Sequence, residues 1–221
     1  MRNIGFEEVK NNETVNIYIA EADKTLNALG YTEHGFAHVT LCAEKASEIL
    51  KTLGKDEHLC ELAKIAGYMH DMGNAINRED HAQSGAMMAF TLLNSMQMPP
   101  KDIATVITAI GNHDEGSAYP VNEVSAALIL ADKSDVRRSR VNQVNEIEFD
   151  IHDRVNYAVE DSVINIDKEN KKFILSITIN TEICPIMDYF EIFLDRMLLC
   201  RKAAELLDLN FKLNINGVEL L

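Results

Sequence analysis

The sequence has few of the features that mark secreted or membrane proteins. It contains four cysteines in 221 residues (Cys42, Cys60, Cys184 and Cys200), and no two of them form a Cys-x-x-Cys pair. Scattered cysteines of this kind are typical of reduced thiols, and three of them lie in apolar helical segments, which favours small core side chains. No apolar run reaches the ~18 residues that span a bilayer, and no signal peptide opens the chain. We therefore expect a cytoplasmic protein that makes no membrane contact.

Positive charge is also scarce. Lysines and arginines number 21 against 35 aspartates and glutamates, so the formal net charge is -14. Such a surface repels phosphate backbones, which disfavours binding to nucleic-acid polymers. A small phosphorylated ligand stays compatible with this composition if a metal ion and local basic side chains supply positive charge. The chain also lacks repeats and low-complexity linkers, and its length suits one domain, or one domain with an appendage.

Apolar residues recur with a helical period through most of the first 135 positions. This periodicity predicts six helices, over residues 14–29, 36–53, 56–71, 80–96, 102–112 and 123–135. Asp56 and Asp80 are candidate N-caps, and Pro99 and Pro100 separate the fourth helix from the fifth. Loops are predicted over residues 74–79 and 116–120, and a further helix is predicted within residues 139–161.

The pattern becomes β-rich after residue 160. Three strands are predicted over residues 162–166, 173–180 and 210–215, with one helix over residues 185–207. We expect a mainly α protein, with a helical domain over residues 1–160 and a small antiparallel β extension over residues 161–221 that packs on it. Edges of such a sheet can pair between subunits, which would allow a homodimer.

Candidate metal ligands stand at the ends of the predicted helices. The central motif is the pair His70-Asp71, where an apolar helix stops before Gly73. Five of the seven histidines and two aspartates share this placement, namely His34, His38, His70, His81, His113, Asp71 and Asp132. Because helix ends line clefts whereas helix interiors face the core, we expect one polar pocket. Imidazole and carboxylate ligands suit Fe, Mn, Zn or Ni, and their presence does not identify which of these metals binds. His58 and His152 lie in polar surroundings and are expected at the surface.

These motifs resemble those of the HD-domain superfamily of metal-dependent phosphohydrolases. The family signature is a first His, a His-Asp pair and a later Asp on successive helices, matched here by His38, His70-Asp71 and Asp132. The resemblance covers roughly residues 31–140, and the local contexts also match: His-Gly-x-x-His-Val, His-Asp-Met-Gly-Asn, His-Ala-x-x-Gly-Ala and Ala-Asp-Lys-Ser-Asp. In the branch of this superfamily that acts on cyclic dinucleotides, a second His follows directly after a first one. Here Asp114 stands at that position, after His113. The overall spacing is nearer that of compact bacterial HD proteins that act on nucleotides.

The resemblance implies an HD-type helical bundle that hydrolyses a small nucleotide or related phosphoester. It implies one or two divalent transition-metal ions (Fe, Mn, Ni, Co or Zn), which activate a water and clamp phosphate oxygens. The implied ligands are Asp71 as a bridge, His38, His70 and Asp132 for the first ion, and His81 and His113 for the second. His34 would donate a proton to the leaving oxygen unless it binds metal itself. Asp114 is open between binding metal and orienting an imidazole, and Glu115 is a candidate for supporting the ligands.

Basic residues near these motifs are candidate substrate contacts. Lys133, Arg137, Arg138 and Arg140 follow Asp132 and form the densest basic cluster of the chain. We expect Lys133 and Arg137, together with Arg78, to offset phosphate charge, and count Lys133 with His34 and Asp71 as catalytic. The arginine cluster as a whole is more typical of a solvated face. Two other functions use the same ligands: a di-iron oxygenase, and a sensor that binds a nucleotide or metal without catalysis.

Overall fold

The computed structural model describes residues 4–116, 118–141 and 151–220. Its helices in these ranges are α1 (Phe6–Lys10), α2 (Glu13–Ala28), α3 (Phe36–Thr52), α4 (Glu57–Met69), α5 (His81–Ser95), α6 (Pro100–Gly111), α7 (Glu123–Lys133), α8 (Ile151–Ala158) and α9 (Ile186–Leu206). Short 3-10 turns cover Met72–Ala75 and Arg138–Arg140. The strands are β1 (Val159–Asp167), β2 (Lys172–Ile179), β3 (Asn210–Ile215) and β4 (Val218–Glu219). The predicted fold class, a mainly α protein with a small C-terminal β part, is confirmed.

The sheet has the strand order β1-β2-β3-β4 and is mixed rather than purely antiparallel. β1 and β2 form the predicted antiparallel hairpin, but β2 and β3 run parallel, with Phe173 beside Phe211. The antiparallel prediction is wrong at this pairing because α9 carries the chain back across the sheet before β3 begins, and a helical crossover of this kind joins parallel strands. β1 also begins at Val159, three residues before the predicted strand, and β4 was not predicted.

Most predicted helices are present, with differences at their ends. Asp56 caps α4 as predicted, since its carboxylate accepts a hydrogen bond of 2.9 Å from the backbone N–H of Leu59. Asp80 precedes α5 but makes no side-chain cap, because its backbone is left-handed with φ 56°. α6 begins at Pro100, two residues early, since proline is tolerated in the first turn. Of the helix predicted within residues 139–161, α8 is present, and residues 142–150 lie outside the described residues.

The helices α3, α4 and α7 form the centre of the body. Every residue from Val124 to Lys133 on α7 is buried, because other helices pack around it. α3 and α4 approach very closely at Gly67, where an added Cβ would lie 2.7 Å from the Cα of Ala43. This close contact brings the start of α3 and the end of α4 together. α9 packs against α7, so the C-terminal part also reaches the centre of the molecule.

One hydrophobic core runs from the helical body into the sheet. It includes Leu128 and Ile129 of α7 as well as Phe173 of β2 and Phe193 of α9, all 1% exposed or less. The predicted division between residues 160 and 161 falls inside β1, and it stays a prediction. Within the ranges that the structure describes, none of the helices combines the length and apolarity needed to cross a bilayer.

Candidate metal centre

Asp71 lies at the middle of a buried cluster, and its two carboxylate oxygens face different histidines. Its Oδ2 atom is 3.2 Å from Nε2 of His70 and 3.5 Å from Nε2 of His38. Its Oδ1 atom is 3.5 Å from Nε2 of His81 and 3.8 Å from Nε2 of His113. The carboxylate therefore stands between two pairs of imidazoles, which is the arrangement that a bridging ligand needs.

Asp132 completes the group on the side of His38 and His70. Its Oδ1 atom is 3.3 Å from Nε2 of His38 and 3.7 Å from Nε2 of His70. Two donor atoms that share a metal ion at about 2.1 Å are about 3.0–3.4 Å apart in ordinary coordination angles. The separations observed here are near that range or somewhat above it. Donors of His38, His70 and Asp132, together with Cys42, lie within 4.8 Å of one another, and so do donors of His70, Asp71 and His113.

All four histidines present the same nitrogen to the centre. Each Nδ1 lies within hydrogen-bond distance of an acceptor: Asp135 Oδ2 for His38 (2.7 Å), and the backbone oxygens of Gly67 for His70 (2.8 Å), Arg78 for His81 (3.0 Å) and Ile110 for His113 (2.6 Å). A carbonyl oxygen can only accept, so Nδ1 carries the proton in the last three. Their Nε2 lone pairs are left for a cation, as is usual for histidines that bind metals.

The centre has a buried atom that lacks a hydrogen-bond partner. Nε2 of His70 is fully enclosed, and although Oδ2 of Asp71 lies 3.2 Å away, the angles do not allow a hydrogen bond to it or to any other described residue. A buried polar nitrogen without a partner is costly, and a metal ion would satisfy it. The donor set of imidazoles and carboxylates fits a divalent transition metal and does not identify which one.

The electrostatics of the centre also favour bound positive charge. Burial lowers the pKa of His70, but Asp71 and Asp132 outweigh it and raise that pKa to about 10. Burial would raise the pKa of Asp71, yet His70 and its neighbouring imidazoles hold it well below the ordinary value. The carboxylates are therefore ionised and draw protons onto nearby imidazoles. A divalent cation can supply the same positive charge in place of those protons.

His81 behaves differently from His70. Burial is the main influence on its pKa and lowers it to about 4, helped by His113 and Arg78 and opposed by Asp71. Its Nε2 lies 3.2 Å from Nε2 of His113 and 3.4 Å from Nη1 of Arg78. A cation at this end would have to replace the contact with the Arg78 guanidinium. The two carboxylate oxygens of Asp71 therefore face different electrostatic environments.

Polar neighbours fix the orientation of both aspartates. Lys133 donates toward Oδ2 of Asp132 at 2.8 Å and toward Glu115 at 3.1 Å, which leaves Oδ1 of Asp132 facing the histidines. Asn74 donates to Oδ1 of Asp71 at 3.0 Å and to the backbone oxygen of the same residue. Burial lowers the pKa of Lys133, but the two carboxylates outweigh it and raise that pKa. Lys133 is therefore a charged group of the interior.

The chain turns sharply after the His-Asp pair, and this turn places His81. α4 ends at Met69, and a 3-10 turn over Met72–Ala75 follows where the sequence predicts a loop. A Cβ on Gly73 would lie 1.9 Å from the backbone oxygen of His81, so only glycine lets the turn pack under the start of α5. The first residue of α5 is thereby held against the end of α4.

His34 lies outside this cluster and next to it. Its ring centre is 5.5 Å from that of His38, and its Nδ1 donates to the backbone oxygen of Thr32 at 2.6 Å. Burial is the main cause that lowers its pKa well below the ordinary value. A neutral ring with Nδ1 protonated presents Nε2 as an acceptor. The proton-donor role implied by the family resemblance would need a second proton on this ring, and it stays a prediction.

A narrow cleft opens beside the centre, and we call it the arginine cleft. Its volume is about 100 Å³, and its charged, imidazole and aromatic lining side chains are Tyr31, His34, Arg78, Arg140, His152, Asp153, Phe193 and Arg196. Arg78, a predicted substrate contact, lies here. The other two predicted contacts lie elsewhere: Lys133 is buried behind Asp132, and Arg137 lines a separate groove next to β1, paired with Asp135 and Glu33.

Sequence reasoning did not assign several residues that shape the site. Asp135 is the last residue of the Ala-Asp-Lys-Ser-Asp motif, and the sequence assigns it no role of its own. Arg140 was included in a solvated cluster, which is wrong for this residue, because it is 4% exposed and donates to two backbone oxygens. Cys42 was expected to be a core side chain, and it is buried, but its thiol lies 3.6 Å from Nε2 of His38 and in reach of a shared ion. Its i, i+4 spacing from His38 was a signal in the sequence. Arg196 carried no signal.

The remaining predictions at the edge of the site concern Asp114, Glu115 and the two peripheral histidines. Asp114 is 3.9 Å from Nε2 of His81, too far for a hydrogen bond. Glu115 pairs with Lys133 and with Arg196, so it supports the centre indirectly. His58 and His152 are exposed, as predicted.

Comparisons with known proteins relate this chain to one protein family. The family model of the HD domain matches residues 35–191, well over half of the chain. An uncharacterized protein of Methanocaldococcus jannaschii is 24% identical over 61% of this chain, which spans about 60% of that relative. A solved structure described as a predicted HD superfamily hydrolase from an uncultured Thermotogales bacterium is 26% identical, covering 59% of this chain and 73% of that one, with a TM-score of 0.45. On the family match, this chain belongs to the HD-domain family.

Proposed function

We propose that this protein is a metal-dependent phosphohydrolase that cleaves a small phosphoester, with nucleotides as the first class to test. The observation that supports this most is the position of Asp71, whose two oxygens face separate pairs of histidine Nε2 atoms. A divalent ion bound there would supply an activated water and a Lewis acid for a phosphoryl oxygen. Membership in the HD-domain family supports the hydrolase class, and the phosphoester is the part that we propose.

The residues of the chain divide into holding and positioning roles. His38, His70, Asp71 and Asp132 hold the first ion, and His81 and His113 hold a second one if it binds. Lys133 keeps one oxygen of Asp132 turned away from the ion, and Asp135 fixes the ring of His38. Buried groups of this kind keep donors in place before substrate arrives, which lowers the cost of reorganisation during the reaction.

Lys133 is thereby assigned a different role from the one predicted. Its side chain is 5% exposed, and its ammonium group already contacts Asp132 and Glu115. We propose that it positions Asp132 and does not touch phosphate. Arg78 keeps the predicted role in substrate binding, because it lines the arginine cleft next to His81.

The experiment that tests this proposal starts with elemental analysis of the purified protein, which gives the identity and number of metal ions per chain. The protein is then stripped of metal, reloaded with Mn, Fe, Co, Ni or Zn, and assayed for phosphate release from a panel of nucleotides. The Asp71→Asn variant should lose at least about 100-fold in kcat/KM, since it loses the bridging carboxylate. Asp208→Asn is the matched control, because that aspartate is exposed and is far in sequence from the proposed metal ligands.

Three outcomes would contradict the proposal. Oxygen uptake by the iron-loaded protein without phosphate release would indicate an oxygenase. Tight nucleotide binding in a thermal-shift assay, without turnover under any metal, would indicate a sensor. Equal hydrolysis by wild type and Asp71→Asn would show that the activity comes from somewhere other than this centre.

A further inference from the structure

The arginine cleft is formed in part by residues beyond the family match. The HD-domain model matches residues 35–191, whereas Tyr31 and His34 precede that range and Arg196 follows it. Arg196 belongs to α9, which packs against α7 behind Asp132. The C-terminal part of this chain thus adds a charged side chain to a cleft whose other wall is the helical body.

The cleft collects positive charge in a protein that is strongly negative overall. Arg78, Arg140 and Arg196 line it, against one lining carboxylate, Asp153. The side chain of Arg140 is 5% exposed, and its guanidinium donates to the backbone oxygens of Glu33 and Asp135. With 21 basic and 35 acidic residues in the whole chain, three arginines around one small cleft are a marked concentration.

The arginines are only partly neutralised by neighbouring carboxylates. Nη2 of Arg78 is 4.0 Å from Asp114, beyond hydrogen-bond distance, and its Nη1 contacts the side chains of Asn74 and His81. Arg196 pairs with Glu115, but that carboxylate is shared with Lys133. Lys133 also pairs with Asp132, so Glu115 and Asp132 together balance Lys133 and Arg196, and Arg140 lies 3.7 Å from Asp135. Among these three arginines Arg78 has the most distant carboxylate partner, and an anion in the cleft can compensate its charge.

Aromatic rings hold two of these guanidinium groups in place. Arg196 lies over the ring of Phe193 at 4.4 Å, and Arg78 lies over the ring of Tyr31 at 5.7 Å. Stacked guanidinium groups are already ordered, so less entropy is lost when they bind an oxyanion. Arg78 also contacts His81, and His34 contacts His38, so the cleft adjoins the metal centre directly.

We propose that the arginine cleft binds a second anionic group of the substrate, so that the protein selects compounds with two phosphates over those with one. The inference rests on the proposed function, since it places the reacting phosphate at the metal centre and the other phosphate among the three arginines. A volume of about 100 Å³ suits a single anionic group and not a whole nucleotide. Selectivity of this kind belongs to the surroundings of a shared catalytic centre.

The test compares two probes, inorganic phosphate and methylenediphosphonate, a diphosphate mimic that cannot be hydrolysed at its central bridge. Both are titrated by calorimetry into the full-length protein with its metal, and metal content is measured again afterwards. The measured quantity is the ratio of the two affinities. Wild type should prefer the diphosphonate by at least tenfold. Arg196→Gln and Arg78→Gln should each lower this preference at least fivefold, while Arg196→Lys should keep part of it.

Arg201→Gln is the matched control, because Arg201 is exposed on the same helix, and its preference should equal that of wild type. A wild-type ratio near one, or an unchanged ratio in both cleft variants, would overturn the proposal. The binding ratio needs no turnover, so it separates the two hypotheses. If the affinity ratio depends on Arg196 but the protein hydrolyses no phosphoester, the result supports the cleft and contradicts the proposed function. If the protein hydrolyses a phosphoester but the ratio is the same in wild type and in the cleft variants, the result supports the proposed function and contradicts the cleft.

Discussion

Single hydrogen bonds decide which nitrogen each histidine offers to the centre. The backbone oxygens of Gly67, Arg78 and Ile110 accept from the Nδ1 atoms of His70, His81 and His113. These oxygens come from the residue three positions earlier in each case, at the end or start of a helix. The histidines could therefore be recognised from their helix-end placement, whereas their hydrogen-bond partners could not. His38 is the exception, because its partner Asp135 comes from a distant part of the chain.

Replacing that partner should weaken metal binding. In Asp135→Asn the charge that fixes His38 is lost, and Arg137 and Arg140 lose the carboxylate they both approach. Metal affinity should fall by about 10–100-fold, the usual effect of removing a group that orients a ligand. Competition with a chelator of known affinity measures the change, and Asp208→Asn should leave it as in wild type. An unchanged affinity in Asp135→Asn would mean that packing alone holds the ring of His38.

The role of Lys133 can be identified by measuring its effects on substrate binding and on turnover separately. In Lys133→Met, Asp132 and Glu115 lose a shared cation, so metal retention and kcat should both fall by at least about tenfold. KM for the best phosphoester found should stay within about twofold, because the lysine does not line the cleft. Steady-state kinetics at saturating metal would measure both. A large rise in KM with kcat unchanged would show instead that Lys133 contacts the substrate.

At the scale of elements, the close packing of helices places the ligands. The parts of the HD signature lie on α3, directly after α4 and on α7; the contact at Gly67 joins α3 to α4, and α7 packs against both. Periodicity predicted these helices nearly to their ends. It could not predict that they touch at Gly67, since that depends on the backbone atoms of Ala43 in another helix.

The helix contact at Gly67 can be tested by a single methyl group. In Gly67→Ala the new Cβ would lie 2.7 Å from Cα and 2.8 Å from N of Ala43, and neither backbone atom can move freely. The free energy of unfolding should drop by about 1–3 kcal/mol, as is typical of overpacking. Urea unfolding measures it. Gly111→Ala is the control, because its Cβ would meet only Ala86 at an ordinary 3.7 Å, and it should be neutral or stabilising by up to about 1 kcal/mol.

The C-terminal sheet shows what local patterns leave open. Alternating residues identified three of its strands, but the pattern of β3 is the same whether its neighbour runs parallel or antiparallel. The crossover through α9 decides that direction. The same helix brings Arg196 to the cleft, which explains why no motif pointed to it.

At the scale of the whole molecule, buried charge should link metal binding to stability. His38, His70, Asp71 and Asp132 are all 7% exposed or less, and they come from α3, from the residues directly after α4 and from α7. Without a cation their lone pairs and negative charges lack a partner common to all four. A ligand that binds only the folded state adds stability by mass action, about 2.7 kcal/mol when its concentration is 100 times its Kd.

Metal removal should therefore lower the thermal unfolding temperature, and adding metal back should restore it. Scanning calorimetry with and without a chelator measures the change, and the stoichiometry of restoration reports one or two sites. Asp71→Asn should show little response to metal. An identical Tm for loaded and stripped wild type would contradict a metal centre that ties the three helices together. Size-exclusion chromatography of the same samples would test the predicted homodimer, which the edges of the C-terminal sheet would allow.

The sequence by itself determined the helical body, the order of its helices and the set of His and Asp residues at their ends, because each of these depends on residues close together along the chain. Only the tertiary structure decided which oxygen of Asp71 faces which histidines, that Lys133 and Arg140 are buried, and that Arg196 joins Arg78 at one cleft. These features depend on contacts between residues far apart in sequence, and a pattern along the chain holds no distance information about such pairs.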